Sequence, residues 1–158
     1  MAKFNAERTF LSDDGATEHH FNLHGVRVRI APQEDGRPVD VQGVDAEVAP
    51  EAIHPAVRIG TPSEFRLGRY VMNIDLFKSN AADLNPPAQI WVALTAEDLA
   101  RARSSDNLKL AYWNGGQWVI FTASKHHFHV VKPDNAGEAG YAVADFMRWG
   151  DPPLAVGH

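Results

Sequence analysis

The dominant pattern in this 158-residue chain is the alternation of apolar and polar residues over short runs. The clearest run alternates Val26, Val28 and Ile30 with arginines and ends at Pro32. Gly43 interrupts a second run and predicts a β-bulge. The other runs are centred on residues 39–48, 70–76, 90–94, 108–112, 127–130 and 141–147. A period of two residues predicts half-buried β-strands, because successive side chains of a strand point to opposite faces.

One segment, residues 95–103, predicts a helix instead of a strand. It is rich in good helix formers, Thr95 is placed to cap its first turn, and the acids Glu97 and Asp98 follow. At about two turns it can only connect strands, because isolated helices shorter than about 12 residues are marginal. Prolines at 62, 86–87, 133 and 152–153 are expected to separate the strands. The chain is therefore predicted to be all-β, an antiparallel β-sandwich of short strands with one short connecting helix.

Length and composition narrow the class of protein. No linker is visible, so a single domain is expected across residues 1–158, and 44% hydrophobic with 22% charged residues is typical of a soluble globular protein. No apolar run approaches the roughly 20 residues of a membrane span, so no membrane insertion is expected. The first residues lack the apolar stretch of a signal peptide. A net charge of −5 argues against nucleic acid as a partner, and the lack of cysteine excludes thiol chemistry.

The segment of residues 110–120 predicts a hairpin around its Asn-Gly-Gly sequence. A two-residue turn would pair Tyr112 with Gln117 and would mix polar and apolar side chains on each face. A three-residue loop instead pairs Tyr112 with Trp118 and gathers the apolar side chains on one face. We therefore expect the three-residue loop, which leaves Trp113 beside Gln117 on the outer face.

Part of the chain resembles a known type of sandwich. The motifs are GRYVMNIDL at residues 68–76, LNPP at 84–87, IWVALT at 90–95 and NLKLAYWNGGQWV at 107–119. They resemble a β-sandwich of bacterial surface and secreted proteins, which is similar to the domain shared by ankyrins, netrin receptors and zonula occludens proteins. The resemblance covers mainly residues 53–131. It implies a non-catalytic module of a surface, secreted or self-assembling structure, and it transfers no functional residues.

Residues that could carry catalysis do not form a recognisable constellation. Ser124 and His126 lie close together in the sequence, but no nucleophile elbow, phosphate loop or dinucleotide motif accompanies them. Glu97 and Asp98 are neighbours on one helical turn and do not face each other across a cleft. We expect that the chain is not an enzyme.

A structural or protein-interaction role is the first function that these patterns favour. Such a module would associate with itself or with a protein partner. The apolar, extended tail of residues 152–157 is consistent with docking on a partner. We expect instead that this tail closes its own sheet as the last strand, because terminal strands are usually tied down internally.

A saccharide or another small ligand is the second class of partner that the sequence suggests. Tryptophan is costly to expose, so an outward Trp113 or Trp91, with Gln117 beside the first, would form a stacking platform. The alternative is that both tryptophans are covered by loops or by the opposite sheet, as most aromatic side chains are.

Metal binding is the third function, although no cofactor is otherwise expected. His127 and His129 are predicted on one face of a strand, at a spacing that lets two imidazoles share a zinc or copper ion. If an early strand lies beside them, His20 or His24 would be the third ligand and Glu18 a carboxylate ligand. The alternative is a set of exposed histidines that titrate on a sheet face.

Overall fold

The computed structural model describes residues 2–4, 6, 8–21, 25–34, 36, 40–47, 67–77, 83–113, 117–132, 140–148 and 153–158. The strands among them are β1 (Ala2–Phe4), β2 (Arg8–Leu11), β3 (Thr17–His20), β4 (Val26–Ile30), β5 (Asp40–Glu47), β6 (Leu67–Phe77), β7 (Asp83–Ala93), β8 (Lys109–Trp113), β9 (Trp118–Ile120), β10 (His129–Val131), β11 (Tyr141–Arg148) and β12 (Pro153–Gly157). The helices are α1 (Ala96–Ala102) and α2 (Ala123–His126), and Ser105–Asn107 forms a 3-10 turn. Within these ranges, no helix is long and apolar enough to cross a membrane.

The described strands form two antiparallel sheets. The first sheet has the order β1-β5-β6-β12-β8-β9, and the second has the order β10-β11-β7-β4-β3-β2. Helix α1 follows β7 at the position where the sequence predicts the connecting helix, and its cap is Thr95. The all-β class with antiparallel strands is therefore confirmed. Helix α2 was not predicted from the sequence.

The main core lies between the two sheets. The inward side chains of β4 alternate with half-buried arginines, as the period of two requires. Fully burying one Val, Leu or Ile side chain contributes about 1.5–3 kcal/mol, so this layer is a large source of stability. Its largest members are Phe21, Val26, Val28, Ile30, Leu84, Ile90, Val92, Leu94, Leu108, Leu110, Phe121, Leu154 and Val156.

The tail predicted to close its own sheet does so. Strand β12 lies inside the first sheet, where Leu154 pairs with Met72 of β6 on one side and with Tyr112 of β8 on the other. Leu154 is 1% exposed and Val156 is 3% exposed. Because both edges of β12 are hydrogen-bonded, this segment is not available to a partner.

The hairpin between β8 and β9 has a register that the sequence did not predict. Trp113 pairs with Trp118 and Tyr112 pairs with Val119, so four residues connect the strands and the predicted three-residue loop is wrong. Trp118 and Phe121 are both buried but lie on opposite faces of the sheet. Phe121 enters the main core, and Trp118 then meets the Trp113 ring edge-on at 5.7 Å. In this register Phe121 is buried in the main core and Trp118 in the second cluster, so both large aromatic side chains are removed from water.

Strand β7 continues through two prolines that were expected to end it. Pro86 and Pro87 lie within Asp83–Ala93, and the Asn85–Pro86 bond is cis. The ladder with β11 is irregular at this end of β7, which suits residues that cannot donate a backbone hydrogen bond. The buried Gln33 side chain donates to the Pro86 carbonyl at 3.2 Å and accepts from the Asn85 N–H at 2.9 Å. At Gly43 the predicted bulge is confirmed by a register shift between β5 and β6.

Candidate ligand-binding face

The outer face of the second sheet carries cationic and aromatic side chains from five of its strands. On β4, for example, the inward valines alternate with Arg27 and Arg29, which point away from the core. We call this surface the Arg–aromatic face. It consists of Arg8, Phe10, His20, Arg27, Trp91 and Tyr141.

The centre of the face is a contact between Arg27, Tyr141 and Trp91. The guanidinium carbon of Arg27 lies 4.7 Å from the centroid of the Tyr141 ring, and its Nη2 donates to the tyrosine hydroxyl at 2.7 Å. The Trp91 and Tyr141 rings meet edge-on with centroids 5.7 Å apart. Ala93 pairs directly with Tyr141, and its small side chain lets the long side chains of both neighbouring strands meet above it. The three groups therefore hold one another in place.

A second contact lies toward the edge of the same face. The Arg8 guanidinium is 4.6 Å from the centroid of the Phe10 ring, and Phe10 is 4.9 Å from the His20 ring. The His20 Nε2 donates to Glu18 at 3.1 Å, and the Ser12 hydroxyl donates to the other oxygen of Glu18 at 2.5 Å. The carboxylate of Glu18 is thus bonded on both oxygens.

The electrostatics of Glu18 follow from these partners. Burial raises the pKa of its carboxyl group. The hydrogen bonds from Ser12 and His20, together with the electrostatic effects of His20 and Arg27, act in the other direction and outweigh burial. The pKa of Glu18 consequently lies below its usual range, and the side chain carries a negative charge at neutral pH.

Polar pairs border the Arg–aromatic face. Arg29 forms an ion pair with Asp14, and the Gln89 side-chain oxygen accepts from the Trp91 indole N–H at 2.8 Å. At the far side, Asp145 accepts from the His127 imidazole at 2.5 Å. These contacts orient groups that can both donate and accept hydrogen bonds, as binding sites for polar ligands require.

The tryptophans suggested as ligand-binding residues lie on opposite sides of the sandwich. Trp91 is half-buried on the Arg–aromatic face. Trp113 is half-buried on the outer face of the first sheet, where it packs against Trp118. Gln117 is exposed and precedes β9. The structure therefore does not join Trp91, Trp113 and Gln117 into one site.

The histidines suggested as metal ligands are also dispersed. His127 is not on a strand, because it ends α2 in the left-handed conformation with φ of 49°. His129 begins β10, and its Nδ1 donates to the His127 carbonyl at 2.9 Å. Three strands separate β10 from β3, so His20 is about 19 Å from His129, given about 4.8 Å per strand. His24 lies outside the described residues. Among the residues that are described, no three His, Asp or Glu side chains are arranged to hold a metal ion.

Trp91 was predicted from the sequence as a ligand-binding residue, but the side chains around it were not. Arg27 was noted only as one of the arginines that alternate with apolar residues, and Arg8, Phe10 and Tyr141 were not selected. The basic outer face of β4 was the available signal. Strand order was needed to place these residues together, since β2, β4 and β11 are far apart in the sequence.

Comparisons with known proteins give no further guide to this surface. No protein-family model, curated protein or solved structure matches the chain.

Proposed function

We propose that this chain is a non-catalytic carbohydrate-binding module whose binding surface is the Arg–aromatic face. The observation that carries the proposal is the position of Trp91, half-buried on an outer sheet face between Arg27 and Gln89. Sugar rings have an apolar C–H face that packs on aromatic rings and hydroxyl groups that bond to guanidinium, amide and carboxylate groups. The Arg–aromatic face offers both kinds of contact within a few ångströms.

The arrangement of polar groups supports a binding role rather than a catalytic one. Ser12, Glu18 and His20 are linked by hydrogen bonds in which the carboxylate lies between the hydroxyl and the imidazole. A nucleophilic serine needs the imidazole as its direct partner, because the imidazole must take the hydroxyl proton. Near α2, the His126 Nδ1 accepts the backbone N–H of Thr122, so this nitrogen is used in shaping the helix.

The other two functions stay predictions with less support. Docking on a protein partner was suggested by residues 152–157, and the part of that tail described, residues 153–157, forms β12 inside the first sheet. Metal binding was suggested by His127, His129, His20 and His24, and the described members of that set do not converge. A surface or secreted location, as the sandwich resemblance implies, is compatible with carbohydrate binding.

A glycan array with the full chain tests the proposal. We expect binding to a defined group of glycans and at least a tenfold loss of affinity for Trp91→Ala. Trp113→Ala is the matched control, because it removes a half-buried tryptophan from the opposite side of the sandwich. Circular dichroism checks that both variants fold. Absence of glycan binding, or equal losses in the two folded variants, would contradict the proposed function.

A further inference from the structure

The two guanidinium groups of the Arg–aromatic face are held on aromatic rings rather than on carboxylates. Arg8 and Arg27 each lie over a ring, and within the described residues neither forms an ion pair. Arg29, on the same strand as Arg27, is paired with Asp14. A guanidinium group that lies over a ring can still donate hydrogen bonds from its in-plane N–H groups to a further acceptor. In Arg27 one of these N–H groups already donates to the Tyr141 hydroxyl.

The carboxylate of Glu18 lies on the same face but does not form an ion pair with Arg27. Glu18 is close enough to Arg27 for the positive charge to help lower its pKa. Its oxygens, however, accept hydrogen bonds from Ser12 and from His20. The face therefore presents donor groups that suit an anionic acceptor supplied by a ligand.

The register of the second sheet sets the order of these residues across the face. Arg8 pairs with His20, His20 with Arg27, and Arg27 with Trp91, so the four residues form one row across four adjacent strands. At about 4.8 Å per strand, the backbone positions of the two arginines are about 10 Å apart. The Arg27 side chain reaches from there toward Tyr141, two strands further from Arg8. In a linear polysaccharide whose consecutive rings alternate in orientation, carboxylates on one side repeat once per disaccharide, so separate uronate units can reach the two arginines.

A second row of side chains, which runs beside the first across the same sheet, favours a hydroxyl-rich ligand over a phosphate polymer. Glu18, Arg29, Gln89 and Asp145 are successive partners across the same sheet. The two carboxylates and the amide oxygen keep lone pairs beyond the hydrogen bonds that they already accept, so they can accept from sugar hydroxyls, whereas a polyphosphate offers no hydroxyl donors.

We propose that the Arg–aromatic face binds a linear polysaccharide containing uronic acid. The sugar carboxylates pair with Arg8 and Arg27, since a planar carboxylate matches the fork of a guanidinium group, and a sugar ring packs on Trp91. This inference rests on the proposed carbohydrate-binding function and adds the charge and chemistry of the ligand.

Calorimetric titration of the full chain with an oligogalacturonate tests the inference. The same oligomer as its neutral methyl ester and a sulfated dextran are the comparison ligands. We expect the oligogalacturonate to bind at least tenfold more tightly than either. Arg8→Gln combined with Arg27→Gln is expected to weaken its binding at least tenfold. Arg101→Gln, which removes a positive charge from the distant helix α1, is expected to leave the affinity unchanged.

The outcomes separate this inference from the function on which it rests. If the neutral ester binds as tightly as the acid, and Trp91→Ala abolishes both, the carbohydrate-binding function stands and the uronate inference is overturned. Tighter binding of sulfated dextran, or an equal loss with Arg101→Gln, also overturns it, because charge alone would then explain the affinity. If no saccharide binds, both proposals fail. Arg27→Lys keeps the positive charge but loses the fork, and should still lose affinity if Arg27→Gln misfolds.

Discussion

At the scale of single residues, the surface groups of the second sheet are oriented mainly by one another. Arg27 is held by both the ring and the hydroxyl of Tyr141, and Trp91 is held by Gln89. A side chain that is already held loses less conformational entropy when a ligand binds. The proposed binding should therefore depend most on the centre of the Arg–aromatic face.

His126 is expected to make the stability of the protein depend on pH. Its ring lies edge-on to Phe121 at 4.8 Å and to Tyr112 at 6.3 Å. Burial and the nearby Lys125 charge lower the pKa of His126 and outweigh the opposite effect of Asp145. The unfolded chain therefore binds a proton at a higher pH than the folded chain, so the free energy of unfolding falls as pH drops below the usual histidine value near 6.5.

The measurement is urea unfolding of the native chain and of His126→Phe at pH values of about 8 and about 5.5, which bracket the usual titration of histidine. The phenylalanine keeps the aromatic contacts but cannot take a proton, so the variant should lose less stability on acidification. An equal or larger loss in the variant would show that His126 does not contribute to the pH dependence.

At the scale of elements, the pairing of β10 with β11 depends on a glycine. Gly140 has φ of +110°, and a Cβ at this position would lie 2.3 Å from the Val131 carbonyl oxygen. Gly140→Ala is expected to cost roughly 3 kcal/mol or more, because the carbonyl belongs to the ladder and cannot move away freely. Gly36→Ala is the matched control, since φ is +73° there but no atom lies within 4 Å of the new Cβ.

Chemical denaturation of both variants tests this expectation. Gly36→Ala should lose only about 1–2 kcal/mol, the cost of a left-handed conformation for a residue with a side chain. If the two variants lost equal amounts of stability, the close approach between Gly140 and the Val131 carbonyl would not be an important constraint on this connection.

At the scale of the whole molecule, the two outer sheet faces differ. On the first sheet Ala111, Trp118 and Ala155 are 0%, 1% and 0% exposed and form a second small core. On the second sheet the outer side chains of β3 and β4 are half-buried and polar. Among the described residues, apolar packing therefore covers part of one outer face, whereas polar side chains occupy the other, which is the face proposed to bind a ligand.

The last strand is expected to be essential for the whole fold. Leu154→Ala should cost about 2–5 kcal/mol, because the side chain is 1% exposed between the sheets. A chain ending at residue 149 should not fold, since β6 and β8 would lose the strand that joins them. Leu11→Ala is the control: Leu11 is 73% exposed, so its loss should change stability by no more than about 0.5 kcal/mol. Native-like circular dichroism of the truncated chain would contradict this view of the first sheet.

The sequence by itself determined the local features of this protein. The period of two predicted strands such as β4 and the outward position of Arg27, Thr95 marked the start of a helix, and Gly43 marked a bulge. Each of these depends on residues that are close together in the chain, where backbone conformation and side-chain direction are set locally.

Only the tertiary structure decided which strands are neighbours and therefore which side chains form a surface. Arg27 and Tyr141 are 114 residues apart, and no local pattern records that β4 and β11 both pair with β7. The hairpin register likewise depended on Phe121 entering a core built from both sheets. Strand pairing and core packing depend on contacts between distant parts of the chain, and these contacts bring the residues of the Arg–aromatic face together.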